Sequence, residues 1–171
     1  GTAHGLNKFN KKTQKFYCYY HNSSDNNSLS SDIISSLFFD KKHNVLWIGT
    51  KSGGLNKYDL SLNRFEKYRY DKNDSNSLTT DFVYTIFRDT SDILWIGTID
   101  GGLNMLDIKT NKITVYDINN SGSIGFNDQT IISIENDNAG NLLLGTYDHG
   151  LMVFNKKSNI FYSFLHDPRE P

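Results

Sequence analysis

The chain has 171 residues, 37% of them hydrophobic and 22% charged, an ordinary balance for a folded globular protein and too apolar for a disordered one. Lys and Arg number 18 against 19 Asp and Glu, so no basic excess exists to neutralise phosphates or hold an anionic membrane surface, and nucleic acid is excluded as an expected partner. Its apolar runs are strand-sized, well short of the ~20 residues a membrane-crossing helix requires, and no direct membrane contact is expected of this segment.

The strongest signal is periodic. Gly-Thr stands at Gly1, Gly49, Gly97 and Gly145, each 48 residues after the last. Such a period marks a repeat architecture. In chain order, residues 1–20 read as the last two strands, C and D, of one unit, with the motif already in progress at Gly1. A polar loop from Tyr20 to Asp32 leads into a complete unit, residues 32–70, and further units follow at 81–117 and 128–165. The second complete unit shows the pattern best: strand A over Phe82–Phe87, B over Ile93–Thr98, C over Leu103–Asp107 and D over Ile113–Asp117. These segments are rich in β-branched and aromatic residues and are separated by Asn, Asp, Gly, Lys and Ser clusters, which is strand and turn chemistry. Residues 166–171 match the start of the loop that begins at Tyr20.

Turn residues agree between copies. Asp40, Asp89 and Asp137 close strand A, while Asp59, Asp107 and Asn155 close strand C, all with side chains suited to bonding their own backbone. A Gly-Gly pair precedes each strand C, and His4 and His149 replace its first member. Because His tolerates positive φ, both histidines are expected to be turn substitutions. The lone cysteine, Cys18, lies in an aromatic run without the electropositive setting a reactive thiol needs, and reads as a strand residue.

Four-stranded units at this period predict an all-β fold, a partial β-propeller of about three and a half blades within one fragment spanning residues 1–171. Leu46-Trp47-Ile48 and Val83-Tyr84-Thr85-Ile86-Phe87 are nearly continuous apolar runs, as expected of sheets covered on both faces. An open arc would leave one face of an end blade bare, with large apolar side chains worth about 1.5–3 kcal/mol each if buried. Further blades of the same parent chain are therefore expected partners.

The sequences Leu46-Trp47-Ile48-Gly49-Thr50 and Gly53-Gly54-Leu55-Asn56-Lys57-Tyr58-Asp59, with Ser28-Leu29-Ser30-Ser31-Asp32 and Ser77-Leu78-Thr79-Thr80-Asp81 opening the following blades, resemble the two-component regulator propeller repeat. The resemblance runs in register over essentially the whole chain. It implies the periplasmic sensor region of an inner-membrane hybrid histidine kinase, a homodimer of that parent, and carbohydrate as the ligand class. The kinase catalytic domain would lie outside this chain. Departures fall in turns: Gly140 completes an Asp-x-x-Gly turn after Asp137, but Asp92 takes that place after Asp89, and Asp40 is followed by the longer Lys41-Lys42-His43-Asn44. The third complete blade lacks the Trp, and its leading loop, residues 119–127, is short.

The chain carries no HExxH pair, no Gly-x-Ser-x-Gly elbow, no phosphate-binding Gly loop and no cysteine pair, so no catalytic residue, metal site or cofactor is expected. The candidate site is one face of the propeller, where the B-to-C turns and D-to-A loops gather around the axis. It would receive Lys51, Ser52, Asp100, Tyr147, Asp148 and His149 from the turns, and His21, Asp71, Lys72 and Asn73 from the loops. There Tyr147 would stack on a sugar ring while Asp148 accepts its hydroxyls. Two other classes stay open: a protein-interaction or dimerisation scaffold, and a propeller-fold polysaccharide lyase or glycosidase whose carboxylates assemble from different blades.

Overall fold

The computed structural model describes residues 1–118, 129–137, 139–148 and 150–164; among these there is no α-helix, and the extended elements are all β-strands. No helix among them is long and apolar enough to cross a membrane. The chain forms two compact units, residues 1–84 and 85–171.

The first unit opens with an antiparallel hairpin, β1 (Leu6–Asn10) and β2 (Lys15–Tyr19). A four-stranded antiparallel meander follows, in the order β3 (Ile34–Asp40), β4 (Val45–Thr50), β5 (Leu55–Asp59) and β6 (Arg64–Tyr68). The second unit holds two more meanders. One is β7 (Val83–Arg88), β8 (Ile93–Thr98), β9 (Leu103–Asp107) and β10 (Lys112–Tyr116), with the first two residues of β7 belonging to the first unit. The other is β11 (Ile131–Asn136), β12 (Leu142–Thr146), β13 (Leu151–Asn155) and β14 (Ile160–Phe164). Three four-stranded sheets and one hairpin, recurring at the 48-residue period, are the three and a half blades of a partial β-propeller.

Register repeats with the sequence. Gly49 faces Leu55, Gly97 faces Leu103 and Gly145 faces Leu151 across the central pair of each sheet. Strand A carries a bulge at the same place in two blades, between Ile34 and Ser36 and between Ile131 and Ser133. In the middle blade strand A begins at Val83, one residue later than the apolar run suggests, and strand D begins at Lys112, one residue earlier. Lys112 pairs with Asp107 directly across the turn, so the ladder extends to the turn itself.

Each unit has its own core. In the first, Leu6, Leu29, Ile48, Tyr58 and Phe65 cluster, and the Tyr58 and Phe65 rings stack with centroids 4.4 Å apart. In the second, Trp95, Ile131, Leu144, Phe154 and Phe161 belong to one larger cluster. At Gly49 and Gly97 the glycine of Gly-Thr lets the next sheet approach closely. A Cβ at Gly49 would stand 2.8 Å from Val83 Cγ1, and one at Gly97 would stand 2.8 Å from Ile131 Cγ2, too near for either to fit without movement. Ser35 Oγ, on β3, also donates to the Val83 carbonyl at 2.5 Å.

Threonine supplies the other half of the motif. Thr50 Oγ1 donates to the Gly54 carbonyl at 2.8 Å, and Thr2, Thr98 and Thr146 make the same bond to Gly5, Gly102 and Gly150 at 3.0 Å. This closes the B-to-C turn from inside. Positive φ falls on the second glycine of each pair, 92° at Gly5 and 73° at Gly54. The expectation that His4 sits at positive φ is therefore corrected. His4 has no left-handed backbone and donates its N–H to Thr2 Oγ1 at 3.0 Å, as Gly53 does to Thr50 Oγ1. His149 lies outside the described residues.

The aspartate turns follow the chemistry of their side chains. Asp59 Oδ1 accepts from the N–H groups of Ser61 and Leu62, and Asp107 and Asn155 do the same for the second and third residues after them. Left-handed residues complete the A-to-B turns at Asn44, Asp92 and Gly140, so Asp92 does stand in for the glycine. Cys18 is exposed on β2 and its Sγ donates to Asn7 Oδ1 at 3.0 Å.

Candidate functional site

Among the described residues, the turns and loops named from sequence are held by hydrogen bonds of their own backbone and side chains. In the first unit the loop from Tyr20 to Asp32 is pinned by Leu29, which is fully buried. His21 is spent on that loop: its N–H donates to Asp32 Oδ1 at 2.6 Å and its Nδ1 lies 2.7 Å from the Leu29 carbonyl. Behind it, buried Asn56 accepts from Ser30 N–H at 2.9 Å and donates to Ser30 Oγ at 2.7 Å. The Asn of the Leu-Asn motif thus ties strand C to the loop that opens its own blade.

Lys51 and Ser52 stand at the β4–β5 turn. Lys51 N–H donates to the Ile33 carbonyl at 3.0 Å, and Ser52 Oγ lies 3.0 Å from Ser31 Oγ. Arg69 reaches the same turn, bonding Asp81 Oδ2 at 3.2 Å and the Ser52 carbonyl at 3.4 Å. Asp81 also accepts from Tyr70 N–H at 2.8 Å, repeating what Asp32 does for His21. In the next loop, Asp71 accepts from Asn73 N–H at 2.9 Å, so its carboxylate is engaged in turn formation.

The second unit brings Asp100 and Tyr147 together through Thr130. Asp100 N–H donates to Thr130 Oγ1 at 3.2 Å, and Tyr147 N–H donates to the Thr130 carbonyl at 3.1 Å. Asp100 is held at φ 53°. Tyr147 leaves 69% of its surface to solvent and Asp148 is exposed beside it, so a ring face and a carboxylate share one rim. Thr130 was not a sequence candidate; it offered no signal beyond its place before strand A.

Electrostatics separates turn acids from anything poised for proton transfer. The carboxyl of Asp107 is held below the ordinary range by N–H donation from Thr110 and Lys109, and that of Asp137 is lowered chiefly by the Asn141 amide. A general acid requires the opposite shift. Burial raises the Tyr68 hydroxyl to about 12. Among the described residues no group of three or more His, Cys, Asp or Glu side chains is placed to hold a metal ion.

Antiparallel four-stranded blades, a glycine notch and a threonine-closed turn, repeated at fixed register, define a propeller of the repeat type. The model of the two component regulator propeller family matches residues 77–100, which run from the blade-opening Ser77 through Gly97-Thr98. The chain's structure is similar to the extracellular domain of the putative hybrid two component system BT3049 from B. thetaiotaomicron, at 28% identity and TM-score 0.87, covering 97% of this chain and 23% of that one. It is similar also to the extracellular domain of BT4673 from the same organism, at 28% identity and TM-score 0.78, covering 99% of this chain and 21% of that one. PorZ of Porphyromonas gingivalis, at 20% identity and TM-score 0.62 over 84% of this chain and 20% of its own, shares the fold. The chain spans less than a quarter of the length of these proteins. No curated protein matches the sequence.

Proposed function

We propose that the chain is part of the extracytoplasmic, ligand-sensing propeller of a two component signalling protein and that its ligand is a carbohydrate. The observation that carries this reading is the similarity to the BT3049 extracellular domain along 97% of the chain. Saccharide as the ligand class is supported by the Tyr147 rim, where an exposed aromatic ring stands beside the Asp148 carboxylate. The segment itself is non-catalytic, and the parent is a periplasm-facing, dimeric histidine kinase. Binding signals by favouring one of two arrangements of the paired ectodomains, which requires unequal affinity for the two.

The test is thermal unfolding of the complete extracytoplasmic region against a library of oligosaccharides, with each incubation checked by mass spectrometry for cleavage. A ligand at 100 times its Kd adds about 2.7 kcal/mol of stability, a readily measured shift. A shift without cleavage is the expected result. Cleavage would make the protein a lyase or glycosidase, and no response across the library would leave a dimerisation scaffold.

A further inference from the structure

Close to the Lys51 turn, the first unit carries two aromatic rings in parallel. Phe82 immediately precedes β7 and Tyr84 follows two residues later, so the period of an extended chain sets both on one side. Their centroids are 6.0 Å apart and their planes differ by 8°. The Lys51 ammonium stands 5.6 Å from the Phe82 centroid, within cation–π range. Tyr84 is 38% exposed, so this pair is not sealed into a core.

Charge distinguishes this cluster from its surroundings. Arg69, which reaches the same turn from the loop after β6, is neutralised by Asp81. Lys51 is exposed and makes no ion pair among the described residues. A neutral ligand would use the rings and leave that cation idle. A carboxylate-bearing one would use both, because an ammonium–carboxylate hydrogen bond is roughly twice as strong as a neutral one.

Building on the carbohydrate-sensing reading, we infer that Lys51, Phe82 and Tyr84 form a seat for an acidic saccharide, one unit of which lies against the exposed Tyr84 ring while the carboxylate of a neighbouring uronic acid unit meets the Lys51 ammonium beside Phe82. The two separations place the ammonium within the span of about two sugar units from the Tyr84 ring.

The experiment is calorimetric titration of the complete extracytoplasmic region with trigalacturonate and with neutral galactotriose, on the native protein and on Lys51→Met and Tyr84→Ser. Both substituted residues are exposed, and thermal unfolding checks that the variants remain folded. The expected result is a preference of about tenfold or more for trigalacturonate, the size of one charge-assisted hydrogen bond. Lys51→Met removes that preference and Tyr84→Ser weakens both sugars. Unchanged trigalacturonate affinity in Lys51→Met overturns the seat. Galactotriose bound as well as trigalacturonate overturns the acidic class and leaves carbohydrate sensing standing. Neither sugar bound, with another oligosaccharide active in the thermal screen, does the same; no response to any sugar removes both.

Discussion

Lys156 Nζ lies 3.3 Å from Asp89 Oδ2, joining residues 67 positions apart: the turn after β13 and the turn after β7. The Trp95 indole N–H donates to the same carboxylate oxygen at 3.2 Å. Asp89 is thus the point at which a turn, a core tryptophan and the following blade converge. Its side chain is only 8% exposed, so removing it strands a cation and an indole donor. Asp89→Ala is expected to destabilise by about 3 kcal/mol, and Lys156→Met by less because the lysine is 27% exposed. A double-mutant cycle by chemical denaturation measures the coupling; additive effects would show that the contact contributes nothing.

The glycine notch predicts a steric cost. Gly97→Ala places a methyl group against Thr85 Cγ2, Ile131 Cγ2 and the Ile131 carbonyl and is expected to destabilise by about 1–3 kcal/mol, the usual result of overpacking. Ile131→Ala alone is also costly, since that residue is fully buried. Combined, the two substitutions should cost somewhat less than their sum, because the smaller residue at 131 removes the Cγ2 contact while Thr85 and the carbonyl of residue 131 stay in place. Equilibrium unfolding of the three variants decides it.

Threonine in the Gly-Thr motif is held by its hydroxyl, not its methyl group. Thr98→Val keeps the shape but removes the donor to the Gly102 carbonyl, and is expected to cost about 1 kcal/mol or somewhat more. Thr98→Ser retains the bond and should cost less. Equal losses in the two variants, measured as shifts in denaturation midpoint, would show that the methyl group contributes as much as the hydroxyl.

Acid should loosen the turns. The carboxyls of Asp107 and Asp137 titrate below their ordinary value because the folded turns donate hydrogen bonds to the ionised form. Their contribution to stability is therefore fully present above the unfolded Asp value of about 3.9, and is lost as pH falls through the lower folded values. Asp137→Asn keeps an acceptor for the turn but cannot titrate, so Tm should fall less steeply below about pH 4 than in the native protein. A parallel fall in both would place the acid sensitivity elsewhere.

How much of this could be read in the sequence follows from the range of each interaction. The bonds from Asp59, Asp107 and Asn155 reach two or three residues, so residue type alone reveals them. The same locality made the strands legible, with one-residue shifts at Val83 and Lys112 where pairing, not composition, sets the end. His4 misled because the motif shows two adjacent glycines, and only geometry tells which one carries positive φ. Lys51, Asp100, Tyr147 and Asp148 could be named from their turns, yet Thr130, 30 residues from Asp100, could not. Phe82 and Tyr84 read only as strand residues, since nothing local marks them as neighbours of a cation in another turn.

Ser35 and Val83 are 48 residues apart, one full period, and Gly49 meets that same valine. The glycine contact recurs one blade on, where Gly97 meets Ile131, whereas the Ser35 hydroxyl has no counterpart at Val83 or Ile131, one and two periods later. Duplication of a whole period of coding sequence therefore brings the glycine notch with it, while the hydroxyl bonds beside it can differ from joint to joint. Blade number becomes an evolutionary variable that rests on one small, repeated joint.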